Sequence, residues 1–157
     1  CDSYGVTLQH MKLHGAFYNT ACVTPALADS VLDGLQAVNP NIAAMVLSGS
    51  YIAKEAQRRG IPVIQEVFAD RGYTDEGTLV PRTEPGAFIK DPQEALERVL
   101  MMVTEGKVVT NTGNTIDIVA DSVCVHGDNP EAIAFTNYIR EGLTKAGVTV
   151  ANFQNRK

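Results

Sequence analysis

What this sequence lacks narrows it before any motif is read. It has no run of Lys and Arg and no basic patch, and the formal net charge is −5. A nucleic-acid surface or an anionic-membrane surface is therefore not expected. No apolar stretch approaches the roughly 20 residues that a helix needs to span a bilayer, and the first residues do not show the charged-then-apolar layout of a signal peptide. Cysteine is scarce: Cys1, Cys22 and Cys124 are too few and too scattered for a disulfide framework or a zinc motif. A reducing, cytoplasmic setting is the expectation. No Gly-x-x-x-x-Gly-Lys phosphate loop occurs, and no helical stretch carries a His or Glu pair at i, i+4 that would suggest a metal site. No metal ligand is assigned, and whether a divalent ion binds is left open.

What is present is an alternation. With 157 residues, 45% of them hydrophobic, the chain can bury a real core and reads as one domain over 1–157. Residues 5–12 (GVTLQHMK) read as a strand followed by a turn over 14–19, after which Thr24 and Pro25 open a helix with Leu27, Val31, Leu35 and Val38 on its apolar face. The continuous apolar run 42–47 (IAAMVL) is of strand length, as expected where both faces are covered. A short helix over 51–59 ends at Gly60, and 61–67 (IPVIQEV) reads as the next strand. The stretch 68–85 has no periodicity, and long ordered loops in such units are usually functional. Asp91 and Pro92 cap a helix with Leu96, Val99, Leu100 and Val103 inward, and Thr112, Gly113 and Asn114 mark a hairpin or irregular insertion within 107–117. The strand 122–125 (SVCV), a turn at His126 and a helix over 130–145 complete the fourth unit, and 148–150 begins what reads as a last strand. About four strand–helix units in succession imply an α/β fold with a parallel sheet.

Chemistry-bearing residues gather at strand ends, where such folds place their sites. KLHG at 12–15 and HGDNP at 126–130 each set a histidine beside a glycine after an apolar run. Each candidate also has a structural reading. His14 and His126 could instead bond loop carbonyls, Asp128 could be only a helix cap, and Asp70 with Arg71 could form a loop ion pair. Glu66 could be paired and structural, Lys12 could snorkel, and Arg82 could brace the loop. His10, inside the first strand, and Cys124 read as structural.

The segments MKLHGAFYN, EVFADRGYTDEGTLVPR and SVCVHGDNPEA, in this order, resemble the LamB/YcsF family, and the similarity runs over about 10–150. One departure is Leu13, where the family usually has proline; it frees a φ angle and leaves Lys12 and His14 in place. The family's Asp-Leu-Asn and His-Ala-Gly-Asp segments are not seen, so the chain is expected to correspond to the C-terminal three fifths of a barrel domain of about 250 residues. The resemblance implies a distorted (β/α) barrel similar to the glycoside hydrolase/deacetylase fold. It implies one component of an ATP-dependent 5-oxoprolinase that opens the lactam of 5-oxo-L-proline, with ATP bound together with 5-oxoprolinase B and C type subunits. Such a reaction needs a base, a proton donor for the leaving nitrogen, and cations for the anions. Among the matched positions, His14, Asp70, His126 and Asp128 are the catalytic candidates, and Lys12, Glu66, Arg71 and Arg82 the substrate-binding ones. Two further readings stand beside it: a metal-dependent carbohydrate deacetylase, and a non-catalytic fragment that binds a complementary N-terminal segment. An uncovered sheet edge points to a homo-oligomer or such a complement.

Overall fold

A computed structural model of the chain describes residues 2–127 and 132–153. The chain divides into two compact units, the first ending at Gln65 and the second beginning at Glu66.

In the first unit a short 3-10 turn, Asp2–Tyr4, precedes β1 (His10–Lys12), α1 (Gly15–Val23), α2 (Pro25–Val38), β2 (Ala43–Leu47) and α3 (Tyr51–Arg58). The expected first strand shrinks to three residues, and the expected turn over 14–19 is the start of α1. β1 and β2 are parallel, with Met11 opposite Ala44. β2 is buried at four of its five positions, so its unbroken apolar run fits a strand covered on both faces. Helix α2 starts at Pro25 as expected, but the face it buries is Ala28, Leu32 and Leu35, while Val38 is exposed. Pro25 and Thr24 set where the helix begins; which flank turns inward is decided by packing against α1 and α3. Ser50 caps α3 by accepting from the Ala53 N–H at 3.3 Å. At the rim of this helix pair, Arg59 donates to Glu55, Asp33 and Asp29 at 2.7, 2.6 and 2.7 Å, and Arg58 also pairs with Glu55. These cations, Arg58 first, hold the Glu55 carboxyl down at about 2.

β3 (Val63–Phe68) carries the chain across into the second unit, which continues with α4 (Pro92–Leu100), β4 (Lys107–Val109), β5 (Thr115–Asp117), β6 (Ser122–Cys124) and α5 (Ala132–Lys145). Asp91 caps α4 as expected, accepting from the Gln93 N–H at 3.0 Å. The helix then widens into a π-type turn over Met101–Glu105, which Gly106 ends at φ +67°. β4 and β5 form the expected hairpin. β3 and β6 are parallel, with Val67 opposite Val123 and Phe68 opposite Cys124. The core packs Ala95 and Val99 of α4 against Ile139 and Leu143 of α5, with Ala69 beneath them and Val123, Val125 and Phe135 around them. Val148 joins this cluster from an irregular segment: the last strand expected at 148–150 is not formed, because the chain is held by the Val148 N–H to Leu143 carbonyl bond that closes α5. The expected start of α5 at Pro130 lies outside the described residues. Among the described residues no helix is long and apolar enough to cross a membrane.

Candidate functional site

The site in the second unit is made by two parallel neighbours ending side by side. Just past Phe68 and Cys124, the Ala69 N–H bonds the Cys124 carbonyl at 3.0 Å, so Asp70 and His126 leave their strands in step. The Asp70 carboxylate then meets His126 twice: Oδ2 lies 2.8 Å from Nδ1, and the His126 backbone N–H donates to the same oxygen at 3.3 Å. The Phe68 ring stacks on the imidazole at a centroid distance of 5.6 Å. A carboxylate thus fixes one ring nitrogen and an aromatic fixes the ring plane, which leaves Nε2 as the nitrogen for proton transfer to a ligand.

Both residues line a cleft of about 1060 Å³ whose walls also include Arg82, Phe88, Lys90, Phe135 and Tyr138. Much of the cleft lining comes from the long loop after β3, and this loop is not irregular in its bonding. The Asp70 carbonyl accepts from Ile89 N–H at 3.0 Å, the Ala87 carbonyl from Gly72 N–H at 3.1 Å, and the Gly72 carbonyl from Val80 N–H at 3.0 Å. Gly72 is needed here for space: a Cβ at this position would lie 2.0 Å from the Gly86 carbonyl oxygen. Tyr73 is fully buried, and its hydroxyl accepts the Phe68 N–H at 2.9 Å; burial pushes its pKa well above the usual phenol range. Asp75 fastens the loop to the β4–β5 hairpin by accepting from Thr110, Thr112 and Asn114, bonds that pull its carboxyl below the usual range.

Of the residues expected from sequence, Asp70 and His126 are brought together and Arg82 lines the same cleft. The alternative reading of Asp70 and Arg71 as a loop ion pair gives way to the Asp70–His126 contact. Arg71, expected to bind a ligand, braces the loop: at 3% exposure it donates Nε to the Ala87 carbonyl and Nη2 to the Val80 carbonyl, and burial lowers its pKa. Glu66 is buried at 2% exposure and is not among the residues that line this cleft. Asp128 lies outside the described residues. Lys12 and His14 belong to the first unit. Lys12 Nζ lies 5.8 Å over the Tyr18 ring, and His14 is exposed at the start of α1 with its carbonyl accepting from Tyr18 N–H at 3.3 Å. Beside the two histidines, Gly15 takes φ +60°, whereas Gly127 sits at a bend without a positive φ. His10 is half-buried and bonded to Gln9, in keeping with its structural reading.

Three contributors carry no sequence signal strong enough to select them. Phe68 and Tyr73 act through ring placement and one backbone bond, and Phe88 through the two guanidinium groups near its ring. Among the described residues no group of three His, Cys, Asp or Glu side chains is gathered as a metal site would require.

The family model described as LamB/YcsF family matches residues 1–157, including the ends that the three motifs leave uncovered. A protein from Fusobacterium nucleatum, named as the A subunit of 5-oxoprolinase, is 58% identical over 143 residues, 91% of this chain and 56% of that protein. Its namesake from Brevibacillus brevis is 45% identical over 147 residues, covering 94% and 58%. The crystal structure of a lactam utilization protein from Thermus thermophilus superposes with a TM-score of 0.87 at 38% identity, over 97% of this chain and 60% of that one. The chain thus spans a little over half the length of the curated relatives it matches.

Proposed function

The chain belongs to the LamB/YcsF family, and from that premise we propose that it works as part of the A component of an ATP-dependent 5-oxoprolinase, opening the lactam of 5-oxo-L-proline to L-glutamate. The observation that carries the reading is the Asp70–His126 dyad at the ends of two parallel strands, open to a cleft. Relatives named for the same 5-oxoprolinase component and a likeness to a lactam utilization protein support the choice of substrate. The succession of strand and helix supports reading the chain as part of a distorted (β/α) barrel.

In this mechanism Asp70 holds the imidazole by Nδ1, and Nε2 takes a proton from the water that attacks the lactam carbonyl. The same nitrogen returns the proton to the ring nitrogen as the C–N bond breaks, so water and lactam are consumed and an amino acid with a free amine and carboxylate results. ATP, when bound, supplies activation of the carbonyl oxygen. The sequence carries no phosphate loop that would cradle a nucleotide. We therefore assign ATP to B and C type partner subunits, with the assembly in the cytoplasm. Lys12 and His14 are further candidates from the first unit.

The test is ATP-dependent opening of 5-oxoproline by the protein assembled with its partner subunits, comparing wild type with Asp70→Asn and His126→Gln. Both variants are expected to lose about 10²- to 10⁴-fold in kcat while melting near the wild-type temperature. Wild-type turnover in His126→Gln sinks the mechanism.

A further inference from the structure

The lining of the same cleft holds an arrangement that the proton chemistry does not use. The Phe88 ring has two guanidinium groups near it: Arg71 Cζ at 5.2 Å and Arg82 Cζ at 5.4 Å from its centroid. Their situations differ. Arg71 is buried and already donates to two loop carbonyls, whereas Arg82 is exposed and lines the cleft that Asp70 and His126 also line. Among the described residues no carboxylate hydrogen-bonds or pairs with Arg82, which lies instead against the Phe88 ring. Two like charges beside one ring repel, and the neighbouring Arg82 charge adds to burial in disfavouring the charged form of Arg71. An anion in the cleft at Arg82 relieves that repulsion, and an arginine lying against an aromatic has lost part of its rotamer freedom before any ligand arrives. Lys90, exposed on the same cleft, adds a second positive charge.

We propose that Arg82, held against Phe88, is the oxyanion-binding and specificity-determining group of this cleft, selecting ligands that carry a carboxylate or phosphate group beside the bond that water cleaves with the dyad's help. The proposal rests on the reading of the cleft as a lactam-opening site, and it deepens that reading by naming what distinguishes the substrate from a neutral lactam. Arg71 is the positioning residue: its bonds to Ala87 and Val80 fix the loop segment that carries Phe88.

The experiment is calorimetric binding, separate from turnover, with three probes: 5-oxoproline, the neutral five-membered lactam 2-pyrrolidinone, and inorganic phosphate. Arg82→Gln is expected to weaken 5-oxoproline by about 10- to 100-fold and to collapse its preference over 2-pyrrolidinone, and Arg82→Lys to recover part of the loss. Phosphate that competes with 5-oxoproline in the wild type and no longer binds Arg82→Gln identifies a general oxyanion site. Phosphate that fails to compete identifies a carboxylate site, and either outcome supports the proposal. An Arg82→Gln protein that binds 5-oxoproline as the wild type does overturns it. So does equal weakening of both lactams, or a wild type that binds neither 5-oxoproline nor phosphate. Arg82-dependent binding without turnover leaves the proposal standing and removes the dyad mechanism. Turnover that depends on His126, with a KM indifferent to Arg82, does the reverse.

Discussion

Replacing Gly72 with alanine is a one-carbon change with a calculable cost. The added Cβ would lie 2.0 Å from the Gly86 carbonyl oxygen and 3.1 Å from its carbon, where real contacts essentially never fall below 3.0 Å. The two backbone segments must therefore separate by about 1 Å, the difference between 3.0 and 2.0. They are tied by the Gly72 N–H to Ala87 carbonyl bond at 3.1 Å, which does not survive such a shift. Overpacking costs about 1–3 kcal/mol and a lost internal hydrogen bond about 1 more, giving about 2–4 kcal/mol. Gly142→Ala is the control. Its Cβ would also come close, 2.4 Å, but to the Cδ atoms of Leu96, a side chain that can turn away. Alanine in α5 also regains about 1 kcal/mol of helix propensity, so the net change is expected below about 1.5 kcal/mol. Urea unfolding at constant m measures both. A Gly72→Ala protein within about 0.5 kcal/mol of wild type, or Gly142→Ala costing more than Gly72→Ala, refutes the reasoning.

Three other outcomes are expected. Tyr73→Phe leaves the buried Phe68 N–H without its acceptor and costs about 1–3 kcal/mol in chemical unfolding, with faster hydrogen exchange at Phe68 as its local sign. Because the Glu55 carboxyl is held at about 2 against an ordinary 4.5, its contribution is fully present above pH 4.5 and is lost as pH falls towards 2. The stability difference between wild type and Glu55→Gln, followed by acid titration, narrows across that window; a difference independent of pH contradicts the assignment. Asp75→Asn keeps the shape but weakens three accepted bonds, and is expected to raise amide exchange at Thr110 and Asn114, observable by NMR.

The order of strands and helices is readable because its signals are local. Pro25, Pro92, Asp91 and Gly60 mark helix boundaries by their own backbone chemistry, and the run 42–47 needs no partner to declare itself apolar. The inward face of α2 is not readable: Ala28, Leu32 and Leu35 win over Val31 and Val38 through neighbours that hydropathy alone does not name. At the site, the motifs single out Asp70 and His126, yet the pairing of the two across 56 positions follows from strand register rather than from either motif. Arg71 and Arg82 carry the same charge in the same loop, and nothing in the sequence says that one is spent on carbonyls and the other faces the cleft.

The Arg59 cluster has a consequence for how the chain meets its solution. α2 and α3 are clasped at their rim by one cation among three carboxylates, a contact that dissolved salt weakens and heat, by easing the dehydration of ions, penalises less. α4 and α5 meet through Ala95, Val99, Ile139 and Leu143, a contact indifferent to moderate salt and weakened by cold. Both helix pairs bury apolar faces, and the first carries in addition a clasp that responds to ionic strength.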